Sequence, residues 1–194
     1  MGLPVISQAE ASRLGVISAI YLDTAQRRVA AFGISTRRVG GKDMFVPISE
    51  VLRVGRDVVL ISGEAAAREP TDSTPPPGRR TKDLQGVRVT TMEGRHLGTV
   101  EDFCFSTDWV IAEVALSNHK VLFVAPASLT IADEILVPAD ADDRIREDEY
   151  HLDARGRSFA RAALRDTTRM LKRAWSWRGS GKADDLHDGR HEPR

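Results

Sequence analysis

One stretch of this 194-residue chain occurs twice, and this repetition constrains the fold more than any other feature. The segment LGVISAIYLD at 14–23 returns 83 positions later as LGTVEDFCFS at 97–106. Its apolar positions match, for example Ile20 with Phe103. Matched core positions in two copies indicate that one small fold is used twice along the chain.

The spacing between the copies changes only where loops are expected. In the last matched strand the shift falls to 77 and places Val58 over Ile135. The decrease lies where STRRVGGKDM at 35–44 is replaced by SNHKV at 117–121. Insertions are tolerated in loops, so this pattern is typical of a duplicated domain.

The second copy shows the expected strands most clearly. Its apolar runs predict a long strand from Leu97 to Phe105, a hairpin over 109–124 and a closing strand from Ile135 to Val137. Turn residues separate these runs, as in Met92-Glu93-Gly94-Arg95. A unit of this size favours a closed barrel, because closure leaves no bare edge strand.

The alternation of side chains predicts which residues face the cores. In the long strand of the first copy we expect Val16, Ser18, Ile20 and Leu22 on one side and Tyr21 on the other. Three further residues are predicted to be buried: Leu60, Phe103 and Leu136.

These features carry a resemblance to a known family. Leu-Gly stands before a strand that ends at Asp23, and Val46-Pro47 and Gly55-x-Asp57 follow. LQGVRVTTMEGRHLGTVEDFCFS at 84–106 fits the same frame, although Ala132 stands where the first copy has Gly55. The chain resembles the PRC-barrel, a small β-barrel found in the photosynthetic reaction centre H subunit and in a ribosome-maturation factor. The resemblance spans about residues 3–62 and 83–139 and implies a mainly β fold with two such barrels in tandem.

The predicted organisation combines the two barrels with polar and helical segments. Pro75-Pro76-Pro77 marks an extended linker. The parts are a first PRC-barrel-like domain at 1–63, a Pro-rich linker at 64–82, a second PRC-barrel-like domain at 83–139, an acidic segment at 140–154, a cationic amphipathic helix at 155–178 and a disordered tail at 179–194.

The C-terminal region has a strong charge division. The chain is neutral overall, yet residues 133–153 carry 9 acidic and 2 basic side chains and residues 154–178 carry 8 basic and 1 acidic. On a helical wheel, residues 157–177 separate into an apolar and a cationic face. The predicted membrane- or partner-binding residues are Phe159, Met170, Trp175 and Trp177 on the apolar side and Arg161, Arg165, Arg169, Lys172 and Arg173 on the cationic side.

A second candidate contact is the basic hairpin tip of the first copy, which the second copy lacks. Arg37, Arg38 and Lys42 surround two glycines there. The tip is either an ordinary solvated loop or a contact for an acidic protein or an RNA phosphate.

No pattern in the sequence indicates catalysis, a metal or a cofactor. The carboxylates at 140–149 lie in a polar run with nothing to desolvate them, whereas a catalytic acid needs a shifted pKa. Only His187 and His191 have ligand-like spacing, and they lie in the tail. The single cysteine, Cys104, is expected to be an inert buried thiol in a reducing compartment. We therefore expect a protein that is not an enzyme.

Three functions remain open at this point. The resemblance implies a non-enzymatic adaptor that docks onto a larger assembly, because PRC-barrels dock onto macromolecules in both named systems. The segment 157–177 also fits a peripheral anchor on an anionic membrane, or a helix that packs on the barrels or on another partner. An RNA- or ribosome-associated role is the third, although both tryptophans of the segment lie on its apolar side, which argues against base stacking.

The expected location is cytoplasmic, or the inner face of a membrane if the segment binds lipid. No apolar run approaches the roughly 20 residues needed to span a bilayer, and no export signal is visible. The membrane helix of the H subunit and the N-terminal domain of the ribosome factor have no counterpart in the sequence.

Overall fold

The computed structural model describes residues 2–36, 43–124 and 128–147. These residues are mainly β, as predicted, and form two seven-stranded sheets. The first copy contains β1 (Pro4–Ser7), β2 (Arg13–Asp23), β3 (Arg28–Ser35), β4 (Met44–Pro47), β5 (Val51–Val54) and β6 (Val59–Ile61). A short strand, β7 (Arg79–Arg80), precedes the second copy. The second copy contains β8 (Arg88–Thr91), β9 (His96–Phe105), β10 (Ile111–Leu116), β11 (Lys120–Phe123), β12 (Thr130–Ile131), β13 (Ile135–Val137) and β14 (Ile145–Glu147).

The two sheets have the same strand order. The first runs β4-β3-β2-β1-β6-β5, and the second runs β11-β10-β9-β8-β13-β12 and extends to β14 beyond β11. In each sheet one pair is parallel, with Val5 opposite Val59 in the first and Val89 opposite Ile135 in the second. The structure therefore confirms that one small fold occurs twice.

The long strands share a β-bulge that corrects the predicted faces of β2. The extra residue is Ser18 in β2 and Glu101 at the matching position of β9. A bulge reverses the alternation of side chains beyond it. Ile17 and Ile20 are therefore both buried, whereas Ser18 is exposed, contrary to the prediction.

The last turn is one residue shorter in the second copy. Val54 pairs with Val59 across residues 55–58 of the first copy. Ile131 pairs with Ile135 across residues 132–134 of the second. The correct shift for the strand after this turn is therefore 76, and the alignment of Val58 with Ile135 was wrong by one position.

Two burial predictions in these matched strands are wrong. Leu60 is only half-buried and Leu136 is 38% exposed. Their neighbours at 59, 61, 135 and 137 are fully buried instead.

The two cores are filled by complementary residues at matched positions. In the first, Ile20 on β2 pairs with the buried Phe32 on β3. In the second, the large residue is on the other strand, since Phe103 on β9 pairs with Val114 on β10. The prediction that Phe103 is a core residue is confirmed, because its ring is 1% exposed. The exchange keeps one large and one smaller side chain at each site, which preserves packing volume.

In both copies the chain turns back after the last strand and covers an edge. After a 3₁₀ turn (Glu64–Ala66), Arg68 exchanges two backbone hydrogen bonds of 2.8 and 2.9 Å with Phe45 on β4. After a 3₁₀ turn (Ala139–Arg144), Arg146 on β14 pairs with Val121 on β11. The repeated structure therefore continues into the segments predicted as a linker and an acidic run.

No α-helix occurs among these residues, and no helix in them has the length and hydropathy to cross a membrane. The basic hairpin tip at 37–42, the cationic amphipathic helix at 155–178 and the tail at 179–194 lie outside the described residues.

Candidate interaction surface

The two barrels are joined by backbone hydrogen bonds between their longest hairpins. The amide of Val29 donates to the carbonyl oxygen of Trp109 at 2.7 Å, and the amide of Ile111 donates to that of Arg27 at 3.0 Å. The residues between them, Arg28 and Val110, form an antiparallel bridge.

These bonds are related by an approximate twofold axis. The repeat places Arg27 over Trp109 and Val29 over Ile111, so each hydrogen bond is the counterpart of the other. An interface in which the same patch of both partners makes reciprocal contacts is the geometry of a twofold dimer. Here both partners belong to one chain.

Arg27 and Trp109 share an unusual backbone conformation. Their φ angles are +56° and +65°, in the left-handed region where residues with a Cβ are disfavoured by about 1–2 kcal/mol. Both side chains cross to the other barrel. The Nε of Arg27 donates to the carbonyl oxygen of Leu129, and the ring of Trp109 meets Phe32 edge-on with centroids 5.5 Å apart.

Apolar side chains at the strand ends complete the joint. Leu22, at the end of β2, is fully buried and belongs to the core of the second barrel. Phe105, at the matching position of β9, contacts both cores, and Trp109 packs against the first. Each barrel therefore supplies apolar surface to the other, which the hydrophobic effect stabilises.

The end of the Pro-rich segment is attached over this joint. β7 pairs with β2, with Arg79 opposite Leu22. The Nη1 of Arg79 also donates to the carbonyl oxygen of Ala132 in the second barrel at 2.8 Å. Gly78 has a φ of +84°, and a Cβ there would lie 2.2 Å from the carbonyl oxygen of Leu22. Only glycine permits this close approach.

The first barrel carries a polar cluster at the end opposite the joint. The buried Ser7 donates its Oγ proton to Glu10, and the amide of Glu64 donates to the same carboxylate at 3.1 Å. The hydrogen bond from Ser7, with that from Glu64, lowers the pKa of Glu10 below its ordinary value. Thr91 is the matching buried hydroxyl of the second barrel and accepts a hydrogen bond from the amide of Arg95. These bonds stabilise the turns after β1 and β8.

Within the described ranges, no group of three His, Cys, Asp or Glu side chains is placed to hold a metal ion. Cys104, predicted to be buried, is half-buried on β9.

A few large apolar side chains are exposed, and two of them are neighbours. Met92 is 64% exposed, and its amide donates to the carbonyl oxygen of Val137 at 2.8 Å. Leu136 precedes Val137 and lies opposite Thr90 on β8. We call Met92 and Leu136 the distal patch. Leu52 on β5 is exposed by 53% on the first barrel, and Phe123 is covered on one side by the guanidinium of Arg146 at 5.1 Å.

Met92 and Leu52 lie at strand ends remote from the joint, whereas Leu136 pairs with Thr130, the residue after the Leu129 carbonyl that Arg27 reaches from the first barrel. β9 begins beside the patch at His96 and ends at the joint with Phe105. Ten residues of strand span about 30 Å. In the first barrel, Leu52 follows Val51, which pairs with Ile61 at the end of β6 remote from the joint. Leu52 and Met92 therefore lie toward the two outer ends of the joined barrels.

The contact residues predicted from the sequence at 37–42 and 159–177 lie outside the described residues. Sequence reasoning missed the joint and the distal patch. The repeat did carry a signal for the joint. It aligns Arg27 with Trp109, each at the end of a hairpin turn, although the two turns otherwise differ in sequence.

The fold defines a class: proteins built from two small β-barrels in tandem, joined here across an approximate twofold axis. Comparison with protein families then gives the family. The model of the PRC-barrel domain matches the chain twice, over residues 1–67 and 77–157, and the chain belongs to the PRC-barrel family. No curated protein matches it. PRC-barrel domains mediate contacts between proteins.

Proposed function

We propose that this protein is a non-enzymatic adaptor whose joined barrels dock as one unit onto a larger assembly. The observation that supports this function best is the position of the joint. It uses the hairpins at the inner ends of both barrels and leaves Leu52 and Met92 exposed toward the outer ends.

Two outer ends suit an adaptor because they are chemically different. The first barrel presents Leu52 on an edge strand, beside the exposed Arg53. The second presents Met92 and Leu136 with the acidic residues Glu93 and Glu134 nearby in sequence. Exposed apolar side chains with charged neighbours are typical of protein contact sites. Each end can therefore select a different partner surface.

The test is affinity capture of the full chain from its native source, followed by quantitative mass spectrometry. We compare the natural protein with Leu52→Asp, Met92→Asp and Gln8→Asp. Gln8 is the matched control, because its amide donates to Ile61 as that of Met92 donates to Val137, yet its side chain is already polar. We expect each of the first two variants to lose a reproducible group of proteins that the control retains. Identical recovery from all four proteins would contradict docking through the outer ends.

Peripheral membrane association is a second candidate, supported by the separation of apolar and cationic residues over 157–177. Five cationic side chains on one face, each contributing about 1 kcal/mol near an anionic surface, are a substantial attraction. In this form the protein acts at the inner face of the membrane and otherwise in the cytoplasm.

A further inference from the structure

Comparison of the two barrels shows that Met92 has no apolar counterpart in the first barrel, whereas Leu136 matches Leu60. Gln8 and Met92 occupy equivalent positions, shown by their equivalent hydrogen bonds of 2.9 and 2.8 Å to Ile61 and Val137. The first barrel therefore has an amide side chain where the second exposes a thioether. The repeated fold does not require an apolar residue at this position.

The chain segments next to the distal patch carry an excess of carboxylates. Five exposed ones lie there, namely Glu93 after β8, Asp133 and Glu134 before β13, and Asp140 and Asp143 after β13, against the three arginines Arg88, Arg95 and Arg144. Two of them are paired, Glu134 with Arg88 at 3.7 Å and Asp140 with Arg144 at 2.8 Å. An apolar centre with an acidic surround is complementary to a ligand that is both apolar and cationic.

The chain contains such a ligand close by. Residues 154–178 carry a net charge of +7, with Met170, Trp175 and Trp177 on the predicted apolar side. The described structure ends at Glu147, in the second barrel. Ten extended residues reach about 33 Å, whereas a 60-residue barrel has a radius of gyration of about 10 Å. The segment can therefore reach any part of the second barrel.

We propose that the distal patch of the second barrel binds the cationic amphipathic segment 157–177 of the same chain. The contact covers Met92 and Leu136 with the apolar side of the segment and places its arginines beside the surrounding carboxylates. Tethering gives the segment an effective concentration in the millimolar range, so a contact that is weak between separate molecules is populated within the chain. This inference does not rest on the adaptor role, because it concerns the isolated protein.

One consequence is that the bound segment is not available to other surfaces, and that a partner docking on the distal patch first has to displace the segment. A lipid surface or a protein partner has to compete with the distal patch for the same apolar side chains. The patch then acts as a built-in inhibitor of whatever the segment binds, and its strength falls as salt screens the carboxylates.

The chain contains its own reporter for this contact. Its three tryptophans are Trp109 at the joint and Trp175 and Trp177 in the segment. In a Trp109→Phe background, which keeps an aromatic ring against Phe32, fluorescence emission reports only on the segment. We expect blue-shifted emission in this background protein and a red shift when the double substitution Met92→Gln/Leu136→Thr is added. Both replacements are uncharged, so the carboxylates are unchanged and the shift isolates the apolar contact.

The control is Leu52→Thr, which removes a similarly exposed leucine from the first barrel. We expect its emission to equal that of the background protein, at every protein concentration. Emission typical of exposed tryptophan in the background protein would overturn the proposal, as would equal shifts from the double variant and the control. Emission that depends on protein concentration would show contact between two copies and would also overturn it.

A second measurement tests the same contact without the double substitution Met92→Gln/Leu136→Thr, so unfolding of that variant cannot imitate the result. With Cys104 replaced by serine, the pair Met92→Cys and Trp177→Cys should form an intramolecular disulfide on mild oxidation. The pair Leu52→Cys and Trp177→Cys should remain reduced. Equal oxidation of the two pairs would contradict specific docking on the distal patch.

Discussion

The amide of Val29 donates a 2.7 Å hydrogen bond to the carbonyl oxygen of Trp109, which joins a strand of the first barrel to a turn of the second. Its counterpart runs from Ile111 to Arg27, so the joint is reciprocal. Together with the exchange of apolar side chains at Leu22 and Phe105, it makes one body from two copies of a fold.

Removing the Trp109 side chain should weaken this joint specifically. We expect Trp109→Ala to lower the free energy of unfolding by about 3 kcal/mol, because the ring packs against Phe32 and the core of the first barrel. Urea unfolding should change from one transition to two, since each barrel keeps its own core. Trp109→Phe is the control and should keep a single transition. Two transitions in the natural protein would show that the barrels are not coupled.

The corrected faces of the strands can be tested with a matched pair. Phe103→Ala should lower the free energy of unfolding by about 3–5 kcal/mol, because the ring is fully buried in the second core. Leu136→Ala should change it by less than about 1 kcal/mol, because the side chain faces outward. The two values come from the same denaturation assay. Similar losses from both substitutions would contradict the assigned register of β13.

These two positions show what the sequence could predict and what it could not. The repeat predicted that both copies contain the same set of strands, and apolar periodicity, which reports the face of a regular strand, predicted the burial of Phe103. It failed at Leu60 and Leu136 because they lie in the continuous apolar runs 58–61 and 135–137, where alternation does not show which side chains face the core. It failed at Ser18 because a bulge leaves no distinct mark in the pattern.

The sequence did not predict the joint between the barrels, for a different reason. Leu22 lies in a β2 pattern that would place it in its own barrel, but the structure buries it in the other one. Periodicity predicts that a side chain is buried but does not identify the residues against which it packs. The contact residues predicted at 37–42 and 159–177 lie outside the described residues and stay predictions.

The polar cluster of the first barrel should make stability depend on pH. The pKa of Glu10 is lowered in the folded protein, mainly by the hydrogen bond from Ser7. Its carboxylate therefore stabilises the fold above the ordinary pKa of 4.5, and this contribution is lost as the pH falls through the lower folded-state value. We expect the difference in Tm between the natural protein and Glu10→Gln to be largest near about pH 7 and to shrink toward about pH 3. A difference that is constant over this range would rule out this role for the carboxylate.

Membrane association of the segment 157–177 predicts binding to lipid that depends on salt. The full chain should co-sediment with anionic vesicles and be released as ionic strength rises, because screening weakens attraction at a charged surface. The chain ended at residue 154 keeps every described residue and should remain in solution. If the distal patch holds the segment, Met92→Gln/Leu136→Thr should increase binding relative to Leu52→Thr. No sedimentation of any of these proteins would leave the segment as a ligand for protein alone.

The joined pair of barrels is the central claim, and amide hydrogen exchange at Val29 and Ile111 tests it most directly. Each amide has one proton, and in the structure that proton is donated across the joint. NMR of the full chain should show both amides strongly protected, and Trp109→Ala should remove both protections together while the amides paired within β2 and β3 stay protected. Exchange of Val29 and Ile111 at the rate of exposed amides in the natural protein would contradict the joint.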